Sequence, residues 1–398
     1  MKRVFLIVLD SFGIGYEPDA DLFGDVGANT LLSVSGSEKF SIPNMEKMGL
    51  LHIQDARTAD GKKTYHGELE AAYGRLREKS AGKDTTVGHW EIAGLISKKA
   101  FPVYPDGFPE EIIHAFEEKT GRKVLCNRPA SGTEVIREFG EEQMKTGGLI
   151  VYTSADSVFQ VAAHEEVVPL EELYRDCQIA RELLTGEHGV ARVIARPFEG
   201  QPGAFCRTAN RHDFSLKPPG DTMLDYLKRE GLETIGVGKI SDIFAGKGIS
   251  RRIPTKSNTD GMEQTLKIQK EDFEGLCFVN LVDFDMVYGH RNDVDGYASA
   301  LNEFDTWLSV FEKGMKEDDV LLVTADHGCD PGFPGTDHTR EYIPLLAYGK
   351  RIRKGVNLGS RESFSDIGKT VLDYFGIPNQ IDGESMAGEI LDVKKDEI

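Results

Sequence analysis

Short apolar runs rich in Val, Ile and Leu recur along this chain, and the clearest of them stop on an acid or a histidine: VFLIVLD, CFVNLVDFD and VLLVTADHG. Runs this short, without polar alternation, suit strands covered on both faces, as in a parallel sheet flanked by helices. Residues 4–9, 149–153, 191–195, 234–237, 276–282, 320–324 and 343–347 qualify as central strands. Amphipathic stretches lie between them. Leu301, Phe304, Leu308, Phe311 and Met315, spaced by three and four, form one helix face. Met223, Leu224 and Leu227 ahead of Gly231, and Ile367, Val371 and Phe375 ahead of Gly376 and Pro378, predict helices ended by glycine. The alternation predicts an α/β fold with a mainly parallel central sheet.

At 398 residues the chain is long enough for more than one core. Turn-rich FPVYPDGFPEE and the KPPGD sequence at 217–221 mark boundaries near residues 100 and 219. The expectation is a core of residues 1–100 and 220–398, with a smaller α/β domain, 101–219, inserted in it. Sixty-six acidic against 47 basic residues give a net charge of −19, which argues against nucleic acid or an anionic membrane surface as partner. A phosphorylated substrate stays open, because bound cations reverse the local field. Five cysteines, odd in number and without a C-x-x-C pair, fit the cytoplasm. The opening MKRVFLIVLDSFGIG is too short an apolar run for a signal peptide and is broken by Asp10; no later stretch is long enough to cross a bilayer. No obligate protein partner is implied.

Asp10 ends the first run, Asp326 and His327 end another, Asp285 and His290 follow a third, and His338 precedes a fourth. Any one of these is an ordinary turn or surface residue taken alone. Six of them at strand ends and the following loops are a different matter, since open parallel sheets build their sites outside the carboxyl ends of strands. Three Asp and three His suit two borderline divalent cations such as manganese, iron or zinc better than magnesium. Such a pair clamps the oxygens of a phosphoryl transfer and calls for a nucleophile. KSAGKDTTVGHWEIAG offers one: Gly82 for backbone freedom, Asp84 or a Thr as helix cap, and Thr85 or Thr86 at the positive end.

Taken together, LDSFGIG, GKDTTVGHWE, ASGTEVI, YTSADSV, HEEVVPL, RVIARPF, NRHDFSLKP, GKISDIF, NLVDFDMVYGHR and TADHGCDPGFPGTDHTREYIPLL closely resemble the bacterial phosphopentomutases, in order and over nearly the whole chain. The resemblance implies an alkaline phosphatase-like core with an inserted cap. It implies interconversion of ribose 1-phosphate and ribose 5-phosphate, and of the deoxyribose equivalents, with two Mn2+ ions and a sugar bisphosphate as primer. Thr85 would carry the phosphate. Asp10, Asp326 and His327 would hold one metal and Asp285, His290 and His338 the other, with Ser154 and Asp156 of TSADS on the sugar. Arg207, Arg211 and Lys239 are candidates for the distal phosphate, because guanidinium forks and ammonium charges suit it. DHGCD departs from the family pattern, which has Asn at its fourth position; Cys329 sets a soft thiol near the metals, open to zinc binding or to oxidation. The rivals are a phosphatase or a cofactor-independent phosphoglycerate mutase, the latter favouring a serine nucleophile, and a metal-dependent sugar-phosphate sensor without turnover.

Overall fold

The computed structural model describes residues 1–61, 65–154 and 157–392. They form two compact units, Met1–Lys99 with Pro218–Ile398, and Ala100–Lys217. All seven apolar runs contain strands. The first unit holds an eight-stranded sheet in the order Arg251–Ile253, Glu233–Val237, Gly275–Leu281, Arg3–Leu9, Asp319–Thr324, Ile343–Tyr348, Ala72–Leu76, Asn357–Arg361. Only Ile343–Tyr348 runs against its neighbours. Every residue of Arg3–Leu9, Gly275–Leu281 and Asp319–Thr324 is buried, as continuous apolar composition requires of strands covered on both faces. Arg3 is the exception in chemistry. Its guanidinium forks onto Asp319, its partner in register, at 2.8 and 2.6 Å, and donates to the carbonyls of Gln269 and Glu271, which offsets the desolvation of a buried charge.

The helix Val294–Lys313 buries Leu301, Phe304, Leu308 and Phe311 along the predicted face; Met315 is buried just beyond its end. Gly376, at φ 74°, closes Ser365–Phe375 in the left-handed conformation that glycine takes without penalty.

Parallel register carries the site. Val8 pairs with both Asn280 and Thr324, and Leu9 with Leu281, so residues following these three strands emerge together at one edge. The reversed strand completes the set: Thr324 faces Leu345, so the loop before Ile343, which holds His338, returns to that same edge.

The second unit carries its own sheet in the order Val124–Pro129, Leu149–Thr153, Val158–His164, Arg192–Glu199, Cys206–Arg207, with His212–Ser215 also pairing with Arg192–Glu199. Its strand directions are mixed. Residues 149–153 and 191–195 therefore serve this sheet and not the larger one. Apolar clusters around Phe116, Phe159 and Leu173, and around Val135, Tyr152 and Phe198, are separate cores. Among the described residues, no helix is long and apolar enough to cross a membrane.

Candidate metal centre

Asp10 directly follows Arg3–Leu9, Asp326 and His327 follow Asp319–Thr324, and Asp285 lies in the turn Phe284–Tyr288 after Gly275–Leu281. The ligand atoms of Asp10, Asp326 and His327 lie within 4.8 Å of one another, as do those of Asp285, His327 and His338. Nε2 of His327 stands 3.4 Å from both Asp10 Oδ1 and Asp326 Oδ2. On the other side, Asp285 Oδ2 is 3.3 Å from His290 Nε2, its Oδ1 is 3.3 Å from His338 Nε2, and the two imidazole nitrogens are 3.1 Å apart. All six predicted ligands converge, and His327 adjoins both groups.

Three observations fit this cluster to cations. His327 Nδ1 donates to the carbonyl of Gly328 at 3.0 Å and His290 Nδ1 to that of Thr336 at 2.6 Å, which turns each Nε2 toward the carboxylates, where a bound cation would take its lone pair. Asp10 Oδ1, Asp285 Oδ1 and Asp326 Oδ2 are buried without a hydrogen-bond partner among the described residues. Burial, reinforced by Asp326, raises the Asp10 carboxyl above its ordinary range. His327 is pushed up by Asp326 and Asp10 against the opposing effect of burial. A buried acid whose ionisation a neighbouring carboxylate opposes is what a divalent cation relieves.

The threonine segment is a helix, Thr85–Ile92, and Asp84 is its cap, accepting from the amides of Thr86 and Val87 at 3.0 and 3.2 Å. Its first residue, Thr85, places Oγ1 3.1 Å from His327 Nε2. That contact separates Thr85 from its neighbour, which spacing did not. Gly82 is not in the left-handed region; its lack of a side chain matters because a Cβ there would lie 3.2 Å from Asp84 Oδ2 and Val87 Cγ2. At the helix's far end Glu91 is buried and accepts from the amides of Lys79, Ser80 and Phe364 and the hydroxyl of Ser363. The helix that carries Thr85 is thus anchored at both ends.

The family model of the metalloenzyme superfamily matches residues 2–379. A curated relative from Lachnoclostridium phytofermentans, named phosphopentomutase, is 59% identical over 391 residues, 98% of this chain and 100% of that protein. Another phosphopentomutase, from Carboxydothermus hydrogenoformans, is also 59% identical, over 393 residues. The chain belongs to the phosphopentomutase family. A solved Leishmania mexicana phosphoglycerate mutase covers 96% of this chain and 97% of its own at a TM-score of 0.50 and 14% identity, a likeness of fold alone. The core is a largely parallel sheet flanked by helices, and phosphopentomutases are isomerases of a metalloenzyme superfamily, in keeping with divalent-metal binding at the cluster described.

The remaining phosphopentomutase candidates are spread over both units. Ser154 follows Leu149–Thr153, and Arg207 and Arg211 lie on and beside the short strands of the second unit. Asp156 lies outside the described residues. Arg207, Arg211 and the unforeseen Arg196 surround the buried Tyr152 hydroxyl and work against the rise that burial imposes on it. Arg211 is held by Asp213 through two bonds of 2.7 and 2.6 Å. Lys239 belongs to the first unit, just ahead of Ile240–Ile243. Cys329 is buried, with Sγ 3.8 Å from His290 Nδ1; burial, with Asp285 nearby, holds its thiol far above the ordinary range. Its ligand atom groups with those of Asp285 and His290.

Besides Arg196, three residues escaped sequence reasoning. Ser11 sits at φ 72°, a left-handed conformation that costs a serine energy, and turns its amide onto Asp326 Oδ1 at 3.0 Å. His89, on the helix Thr85–Ile92, and Asn280 are buried beside the Asp326 and Asp10 carboxylates. The available signals were a histidine one turn after Thr85 and an amide inside the otherwise apolar CFVNLV run.

Proposed function

We propose that this chain interconverts ribose 1-phosphate and ribose 5-phosphate, and the deoxyribose equivalents, through a phosphothreonine at Thr85 and a sugar bisphosphate. The observation that carries this reading is the Thr85 hydroxyl, on the first residue of a capped helix and 3.1 Å from His327 amid paired carboxylates. Two divalent cations, Mn2+ in this reading, held by Asp10, Asp326 and His327 and by Asp285, His290 and His338, would neutralise charge on the transferring phosphoryl group.

Thr85 starts each cycle phosphorylated, its phosphate facing the positive end of its helix. A hydroxyl of the bound pentose phosphate takes the phosphoryl group while its proton returns to Thr85 Oγ1. The bisphosphate reorients and gives its other phosphate back to Thr85, whose proton passes to the departing hydroxyl. A sugar bisphosphate primes unphosphorylated enzyme. In a chain organised as a core, 1–100 and 220–398, with an inserted domain, 101–219, Ser154 and Asp156 orient the sugar, Arg207 grips the distal phosphate with Arg211 and Lys239 in support, and water is kept from the phosphothreonine. The proposed compartment is the cytoplasm.

Mass-spectrometric mapping after incubation with a pentose bisphosphate tests the assignment. Phosphate on Thr85, and none on a Thr85→Ala variant that still binds metal, is the expected result. Phosphate on Thr86 would overturn it.

A further inference from the structure

We infer that His89 and Asn280 form a positioning bridge that sets the Thr85 hydroxyl and the Asp10–Asp326 pair in fixed relation, an inference that rests on the di-metal reading above. His89 is fully buried. Its Nδ1 donates to the backbone carbonyl of Thr85 at 2.8 Å, and Asp326 Oδ2 lies 3.0 Å from the same nitrogen. With Nδ1 protonated, Nε2 is an acceptor, and it meets the side-chain amide of Asn280 at 3.3 Å. The same amide nitrogen donates to Asp10 Oδ2 at 2.7 Å. An amide NH2 has two hydrogens, so both bonds form at once. Stacking of the imidazole on Phe278, with ring centroids 5.7 Å apart and planes at 28°, fixes its orientation.

The chain Thr85 carbonyl, His89, Asn280, Asp10, with Asp326 at its first joint, touches both carboxylates on one side of the cluster. Among the described residues, no hydrogen bond links it to Asp285, His290 or His338 on the other side. Its loss therefore acts on one cation and on the nucleophile together. Partners behind a ligand commonly contribute ~10–100-fold in metal affinity.

The test is cation titration of the metal-free full chain by calorimetry with Mn2+, on the unmodified protein and on His89→Leu, His89→Gln and Asn280→Val, with kcat and KM measured beside it. In His89→Leu and Asn280→Val we expect one cation at unmodified affinity, the other weakened ~10–100-fold, and a fall in kcat with KM little changed. His89→Gln keeps a donor and an acceptor and should recover part of both. The double variant should be little worse than the more severe single, since both residues belong to one network. Binding of two cations at full affinity and unchanged kcat in folded His89→Gln and Asn280→Val overturns the bridge. Fewer than two cations on the unmodified protein would instead overturn the di-metal reading itself, a distinct result.

Discussion

At the scale of single residues, Asp and His side chains more than 300 positions apart in sequence meet because Asp10, Asp285, Asp326 and His327 end or follow strands of one parallel register and the reversed strand Ile343–Tyr348 returns the loop that holds His338. If the two sides of the cluster hold separate cations, Asp326→Asn and Asp285→Asn each remove a charged ligand from a different one. Metal analysis of the purified variants should find a different cation weakened in each; two full-affinity cations in both would assign these acids to the fold instead. Thr85→Ala should abolish turnover, by at least ~10³-fold in kcat given what a covalent nucleophile contributes, while Thr86→Ala should be mild. These residues were legible because Asp and His at the ends of apolar runs have few structural reasons to be there. His89 and Asn280 were not, since a polar residue inside a buried segment shows its partner only when distant backbone is brought beside it.

At the scale of elements, the helix Thr85–Ile92 approaches the Asp326 backbone so closely that a Cβ on Gly88 would lie 2.1 Å from the Asp326 carbonyl oxygen. Gly88→Ala must push the helix away, and with it the Thr85 hydroxyl. A displacement of ~1 Å is enough for a loss of ~10²-fold in kcat, and unchanged kcat in the folded variant would show that the contact does not position the nucleophile. A second element-scale prediction concerns Leu170–Leu183 in the smaller unit. Its Asp176 is buried, neither oxygen has a hydrogen-bond partner among the described residues, and Arg175 Nε stands 4.0 Å away. Burial, with Glu172 nearby, pushes its carboxyl up to about 6. A carboxyl raised above its unfolded value of 3.8 contributes its full stability below that pH and loses it as the pH rises through about 6. Asp176→Asn is therefore expected to stabilise the protein at pH 8 by about 1 kcal/mol or more and to change little at pH 3.5, as chemical denaturation at the two pH values would reveal. Elements with long apolar runs were legible beforehand. Ala72–Leu76, reading AYGRL, and Asn357–Arg361, reading NLGSR, were not, because Gly, Arg and Ser hide a strand whose place is decided by its neighbours. Direction was equally hidden in Ile343–Tyr348, whose composition matches a parallel strand although its reversal delivers His338.

At the scale of the whole molecule, a net charge of −19 and a phosphorylated substrate are compatible only if positive charge is concentrated locally, by cations at the Asp and His cluster and by the guanidinium groups around Tyr152. A two-metal phosphothreonine site left open to water would act as a phosphatase, so retention of the phosphoryl group is what defines the activity. The most direct test is phosphorus NMR of the Mn2+-loaded, bisphosphate-primed full chain supplied with ribose 1-phosphate, with the metal chelated before recording. The account predicts conversion to ribose 5-phosphate with inorganic phosphate a minor product. Accumulation of inorganic phosphate without ribose 5-phosphate, or no change in ribose 1-phosphate at all, would contradict it.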